Sequence, residues 1–114
     1  MEISIPEIQA EFDSKTFLKA VHGARIVGSV RASLQGGTCA VGRLIVHPDY
    51  RGKGIGTRLM SRIETVFAEA ARFELFTGDK SRDNIRLYRK LGYRECREEN
   101  LSPRVRLVFM EKRR

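Results

Sequence analysis

Between Val46 and Leu59 the chain reads Val-His-Pro-Asp-Tyr-Arg-Gly-Lys-Gly-Ile-Gly-Thr-Arg-Leu, with glycines at 52, 54 and 56. Glycine lets the backbone turn tightly and lets a ligand approach main-chain N–H groups closely. An apolar strand precedes this turn and an amphipathic helix follows it, and the helix adds its unsatisfied first-turn donors and positive end. The main chain of Arg51, Gly52, Lys53, Gly54, Ile55, Gly56 and Thr57 therefore suits a pyrophosphate-like anion, and the side chains of Arg51, Lys53 and Arg58 add full charges. Two other phosphate loops fail here. There is no Gly-x4-Gly-Lys-Ser/Thr string. The dinucleotide fingerprint needs a third glycine where Leu59 stands, and an early βαβ unit that the sequence does not offer.

A strand must deliver that turn, and apolar patterning supplies one. Cys39 to Val46 ends in Leu44-Ile45-Val46 and is stopped by Pro48. Upstream, Thr16–Val21 and Arg25–Ala32 flank His22-Gly23 as a hairpin, and Gln35–Thr38 turns the chain again, giving an antiparallel meander. Downstream, Ile55, Leu59, Ile63, Val66, Phe67 and Ala70 recur at three- and four-residue spacing, which predicts a long helix over 54–71. Phe73–Thr77 is a short strand expected to run parallel to the one before the helix. Ser81 can N-cap a second helix with Ile85, Tyr88 and Leu91 inside, ended by Gly92. Tyr93–Arg97 and Val105–Met110 complete the order as strands joined by a polar loop containing Pro103. The class is α+β, a mixed and mostly antiparallel sheet with two helices. Residues 1–15, with Ile3, Ile5 and Ile8, read as an arm or edge strand before a single domain over 16–114.

Lys and Arg number 22 against 14 Asp and Glu, a net charge of +8. Residues 1–50 hold five of each sign, so the whole excess falls in residues 51–114. Such a half invites a phosphate cofactor, a nucleic acid or an acidic partner, or serves solubility alone. Nucleic acid ranks last, because no helix-turn-helix, zinc or RRM pattern is present and aromatics are few. No run approaches the ~20 apolar residues of a membrane span. The two cysteines, Cys39 and Cys96, and the two histidines, His22 and His47, have no metal spacing. With no secretion signal at the N-terminus, the cysteines read as reduced thiols of a cytoplasmic protein with no metal.

Arg51-Gly52-Lys53-Gly54-Ile55-Gly56, with the lead-in Leu44 to Tyr50, resembles the Arg/Gln-x-x-Gly-x-Gly/Ala segment of GNAT-type N-acetyltransferases. Asn84-Ile85-Arg86-Leu87-Tyr88-Arg89-Lys90-Leu91-Gly92-Tyr93 is similar to the same family's Asn-x-x-x-Tyr-x-x-x-Gly-Phe/Tyr ending. The likeness covers roughly Thr16 to Met110. It implies a GNAT-like sheet whose central strand splays to admit acetyl-CoA. The backbone of Leu44, Ile45 and Val46 would then pair with pantetheine, and the N–H groups from Arg51 to Thr57 would hold the pyrophosphate. Asn84 would touch pantetheine or order its helix, and Tyr88 would sit near the sulfur. The chemistry is coherent: an amine attacks the thioester, an N–H near Val46 steadies the oxyanion, and the Tyr88 phenol protonates the leaving thiolate. Direct transfer in a ternary complex needs positioning and no metal.

Two departures stand against that pattern. Many relatives carry a Glu base four residues before Val46, where this chain has Gly42; His47 is one candidate, although Pro48 beside it favours a strand-end role, and a water relay or an amine arriving neutral would serve equally. Only about 15 residues precede the first clearly patterned strand, where the usual family domain begins with a strand and two helices that wall the acceptor site. A second subunit, as in a homodimer, could complete that wall, or the chain could be an acyl-CoA-binding module without turnover. The basic side chains Lys80, Arg82, Arg86, Arg89 and Lys90 read first as a solvated helix face, and second as holders of a further phosphate or an acidic acceptor. The sequence leaves the amine unidentified.

Overall fold

The computed structural model describes residues 2–9 and 15–114. A seven-stranded sheet runs in the order β1-β2-β3-β4-β5-β7-β6. Its strands are β1 (Glu7–Gln9), β2 (Lys15–His22), β3 (Arg25–Gln35), β4 (Thr38–Val46), β5 (Arg72–Gly78), β6 (Arg94–Ser102) and β7 (Val105–Arg113). Helix α1 (Ile55–Val66) lies between β4 and β5, and α2 (Arg82–Lys90) between β5 and β6. The β4–β5 pair is parallel, as the short connections predict, and every other pair is antiparallel. Of the N-terminal arm, Glu7–Gln9 is the edge strand and Ser4 bridges Val21, while residues 1 and 10–14 lie outside the described residues.

Alternation along the strands gives the sheet one apolar face. Leu18, Val30, Cys39, Phe73 and Met110 are buried there against Ile55, Leu59, Met60 and Ile63 of α1, and Tyr88 of α2 joins the same core. Gly28 of β3 sets how closely α1 sits. A Cβ there would meet Ile55 Cγ2 at 3.0 Å, and the Ile45 carbonyl oxygen and Leu59 Cδ1 at 3.2 Å each. No helix among the described residues is long and apolar enough to cross a membrane.

β3 and β7 each run three residues past their expected ends, to Gln35 and Arg113, and two boundaries differ from the sequence reading by more. Helix α1 ends at Val66, not Ala71, although Phe67 and Ala70 remain buried. The chain has to return to the sheet at this point, and the carbonyl of Gly37 captures the N–H groups of Ala71 and Arg72 to start β5. The Arg114 guanidinium bonds the carbonyls of Glu64 and Ala68, closing the end of the helix with a cation. The second difference is the polar loop after Arg97, which is strand as far as Ser102, with the turn at Pro103-Arg104. β6 is a sheet edge exposed along its whole length, so it carries no apolar alternation for a sequence reading to find.

Candidate acyl-CoA site

The site begins where β4 loses a neighbour. β5 pairs with β4 only from Thr38 to Ala40, and beyond that the two strands part. On the other edge β4 stays with β3, through a bulge that sets Arg43 and Leu44 opposite one residue of β3. The His47 N–H bonds the Val27 carbonyl at 2.8 Å. By strand alternation Val46 then turns its N–H and carbonyl to the opposite, parted edge.

The glycine turn follows, and its conformation matches its composition. Gly52 and Gly54 adopt φ of 75° and 78°, a region that side-chain-bearing residues avoid. Gly54 caps α1 with no side-chain hydrogen bond, and the first intrahelical bond is Arg58 N–H to the Gly54 carbonyl. Among the described residues, the six successive N–H groups from Gly52 to Thr57 therefore have no protein acceptor. The first turn of α1 also carries no acidic side chain to oppose an anion.

The gap between the strands and the two helix N-termini together form an open cleft of about 880 Å³, within the range of small-molecule sites. Leu44, Ile45, Val46, Arg51, Gly52, Gly54, Ile55, Gly56, Thr57 and Asn84 all line it. Gly56 lets the helices close upon it, since a Cβ there would meet Leu87 Cδ2 at 3.2 Å. Lys53 is exposed and does not line the cleft. The guanidinium of Arg58 turns away to the Ile3 carbonyl at 3.0 Å, so it adds no charge to the cleft wall.

Tyr88 lies beside the cleft rather than on its wall. It is 5% exposed, with its ring 6.1 Å from that of Tyr93, and burial holds its phenol above the ordinary value. His47 is poorly set as a base. Its Nδ1 faces the Asp49 N–H at 3.1 Å and its Nε2 faces the Arg25 guanidinium at 3.0 Å, and it does not line the cleft.

Cations that the sequence left on a solvated face do line the cleft. Lys80, Arg82 and Lys90 join Arg51 there, with Asp83 the one acidic side chain on the wall among the described residues. Tyr50 also lines it, held by His22 Nδ1 at 2.9 Å. One available signal pointed to the α2 residues. β4 and β5 are adjacent parallel strands, so their carboxyl ends and the helices that follow them open at the same end of the sheet.

Comparison with known proteins agrees with this architecture. Residues 2–93 match the Acetyltransferase (GNAT) family, and the chain belongs to that family, whose members use acetyl-CoA. Over 94 residues it is 34% identical to an acetyltransferase of Sodalis glossinidius, covering 77% of this chain and 66% of that one. An acetyltransferase of Pectobacterium atrosepticum is also 34% identical, with coverage of 77% and 67%. The chain thus spans about two thirds of these relatives' length. Among solved structures, a GNAT family acetyltransferase from Elizabethkingia anophelis with acetyl-CoA bound superposes with a TM-score of 0.83 at 15% identity, over 98% of both chains. The ribosomal-protein-S18-alanine N-acetyltransferase of Escherichia coli gives 0.82 at 17% identity, over 90% of this chain and 71% of that one.

Proposed function

We propose that this protein transfers the acetyl group of acetyl-CoA to a primary amine, directly, with both substrates bound at once. The observation that carries the reading is the run of six N–H groups from Gly52 to Thr57, without a partner among the described residues, at the mouth of a cleft between parted strands. Those donors and Arg51 fit a diphosphate, Lys80, Arg82 and Lys90 fit the remaining phosphate charge, and the strand edge of Leu44–Val46 fits an amide-bearing arm. Bound acetyl-CoA supplies the activated thioester carbonyl. The Val46 N–H faces the charge that develops on that carbonyl oxygen. The attacking amine forms the C–N bond as the C–S bond breaks. The Tyr88 hydroxyl gives its proton to the departing sulfur, and the proton shed by the amine restores it, so the phenol ends neutral.

A second reading, acyl-CoA binding without turnover, draws on two facts: neither Tyr88 nor His47 lines the cleft, and Gly42 supplies no carboxylate. A thiol-release assay against an amine library, run alongside calorimetric CoA titration, separates the two. Release of thiol with at least one amine supports transfer. Tight CoA binding without release across the library supports the binding module. No CoA binding at high micromolar concentration removes both.

A further inference from the structure

Both helices pack on one face of the sheet, and among the described residues no helix covers the other. Strand alternation puts Phe17, Arg31, Gly42, Ile45, Phe76 and Phe109 on that open face, since Leu18, Val30, Val41, Leu75 and Met110 turn inward. The arginines of the open face are not alike. Arg72 is held by Glu74 and Glu111, Arg97 by Glu74 at 3.6 Å and Glu99 at 3.8 Å, and Arg113 by Glu111 at 3.4 Å. Arg31 has no acidic partner among the described residues, although it is exposed.

Its position is specific. Arg31 stands opposite Gly42 in the β3–β4 ladder, with its Cγ and Nε each 3.9 Å from where a Cβ on Gly42 would lie. Past Ala40 and Glu74 the strands β4 and β5 diverge. Arg31 therefore flanks the open-face mouth of the same gap that forms the cleft. Phe76 of β5 and Ile45 of β4, 55% and 57% exposed, border that mouth on the same face. The helix side of the gap is taken by the cofactor's proposed seat. A second substrate that attacks directly has to come from the open side.

We propose that Arg31 selects the acceptor, an amine bearing a free carboxylate and an apolar body. The guanidinium takes the carboxylate in the two-bonded geometry that matches it, while Phe76 and Ile45 receive the apolar part. This rests on the acetyl-transfer reading above. Gly42 is part of the device: a Cβ there would rest in ordinary contact with the arginine stem, and any longer side chain would occupy the approach.

The test uses the full chain saturated with CoA and two probes, N-acetylphenylalanine and N-acetylphenylalaninamide, titrated by calorimetry. The carboxylate probe is expected to bind roughly tenfold or more tightly than the amide, in keeping with a charged hydrogen bond. Arg31→Gln is expected to erase that difference with CoA affinity unchanged, which also reports that the variant is folded. Arg31→Lys is expected to keep part of the preference. Equal binding of the two probes by the native protein, a preference that survives in Arg31→Gln, or no binding of either probe to the CoA complex would each overturn the proposal and leave the cofactor site standing. Failure to bind CoA at all overturns the acetyl-transfer reading itself.

Discussion

Tyr88 combines a packing role with a proposed chemical one. Its ring belongs to the core beside Tyr93, and burial raises the phenol above its ordinary value, so it holds its proton throughout the neutral range. Tyr88→Phe keeps the ring and removes only the transferable proton. The expected result is a fall in kcat of about a hundredfold, with CoA affinity and melting temperature nearly unchanged; a kcat equal to the native value would dismiss the phenol as proton donor. Any loss of rate that belongs to this group should set in above the usual phenol range, because its acidic form is the active one. Gly54 is a different kind of residue, required for its backbone. At φ 78° with nothing within 4 Å of its Cβ position, the obstacle to a side chain is conformational rather than steric crowding. Gly54→Val should turn the donors out of register and abolish CoA binding in a chain that still folds, as measured by calorimetry beside circular dichroism. Normal CoA affinity in that variant would mean that the turn is not the phosphate site.

At the scale of elements, the seating of α1 depends on Gly28. Gly28→Ala puts a methyl 3.0 Å from Ile55 Cγ2 and 3.2 Å from a backbone oxygen that cannot yield cheaply. The first turn of α1 must lift, at a cost of about 1–3 kcal/mol. The urea midpoint should fall, and CoA should bind more weakly because the unpartnered donors ride on that turn. An unchanged midpoint would show that the helix has slack. Gly28 reads in sequence as an ordinary weak point in a strand, because its neighbour across the core lies nearly 30 positions on. The elements themselves were largely legible: period two wrote β2 to β5, period three-to-four wrote α1, and the glycines marked the turn between them. The failures have physical causes. Phe67 and Ala70 keep helical spacing while packing from a turn, so pattern alone overran the end of α1. β6 has no buried side to betray it. Lys80, Arg82 and Lys90 look the same in sequence whether they face water or a cleft, and only the parallel pairing of β4 with β5 brings them to the cleft wall. Arg58 shows the converse, since it neighbours the turn in sequence but is spent on the Ile3 carbonyl.

Taken whole, the molecule buries acids that ionise only at high pH. The Cys39 thiol is pushed from 9.0 up to about 12, by burial first and then by Glu69, against a smaller opposing pull from Arg114. Tyr88 and Tyr93 are raised as well, with burial again the first cause. A raised acid is still protonated in the folded chain after the unfolded chain has released its proton. The unfolded state therefore gains as pH rises, and stability present in full below the unfolded value drains away toward the folded one. For Cys39 that window runs from 9.0 to about 12. Over it the urea midpoint of the native protein should decline, first through the thiol and then through the phenols. Cys39→Ala removes the earliest part of the decline, so the two proteins' midpoints should converge or cross as pH climbs, even if the variant starts lower for want of the sulfur's packing. A constant offset between them across the window would mean that the thiol ionises as readily in the folded protein as in the unfolded one, and that this part of the core is open to water.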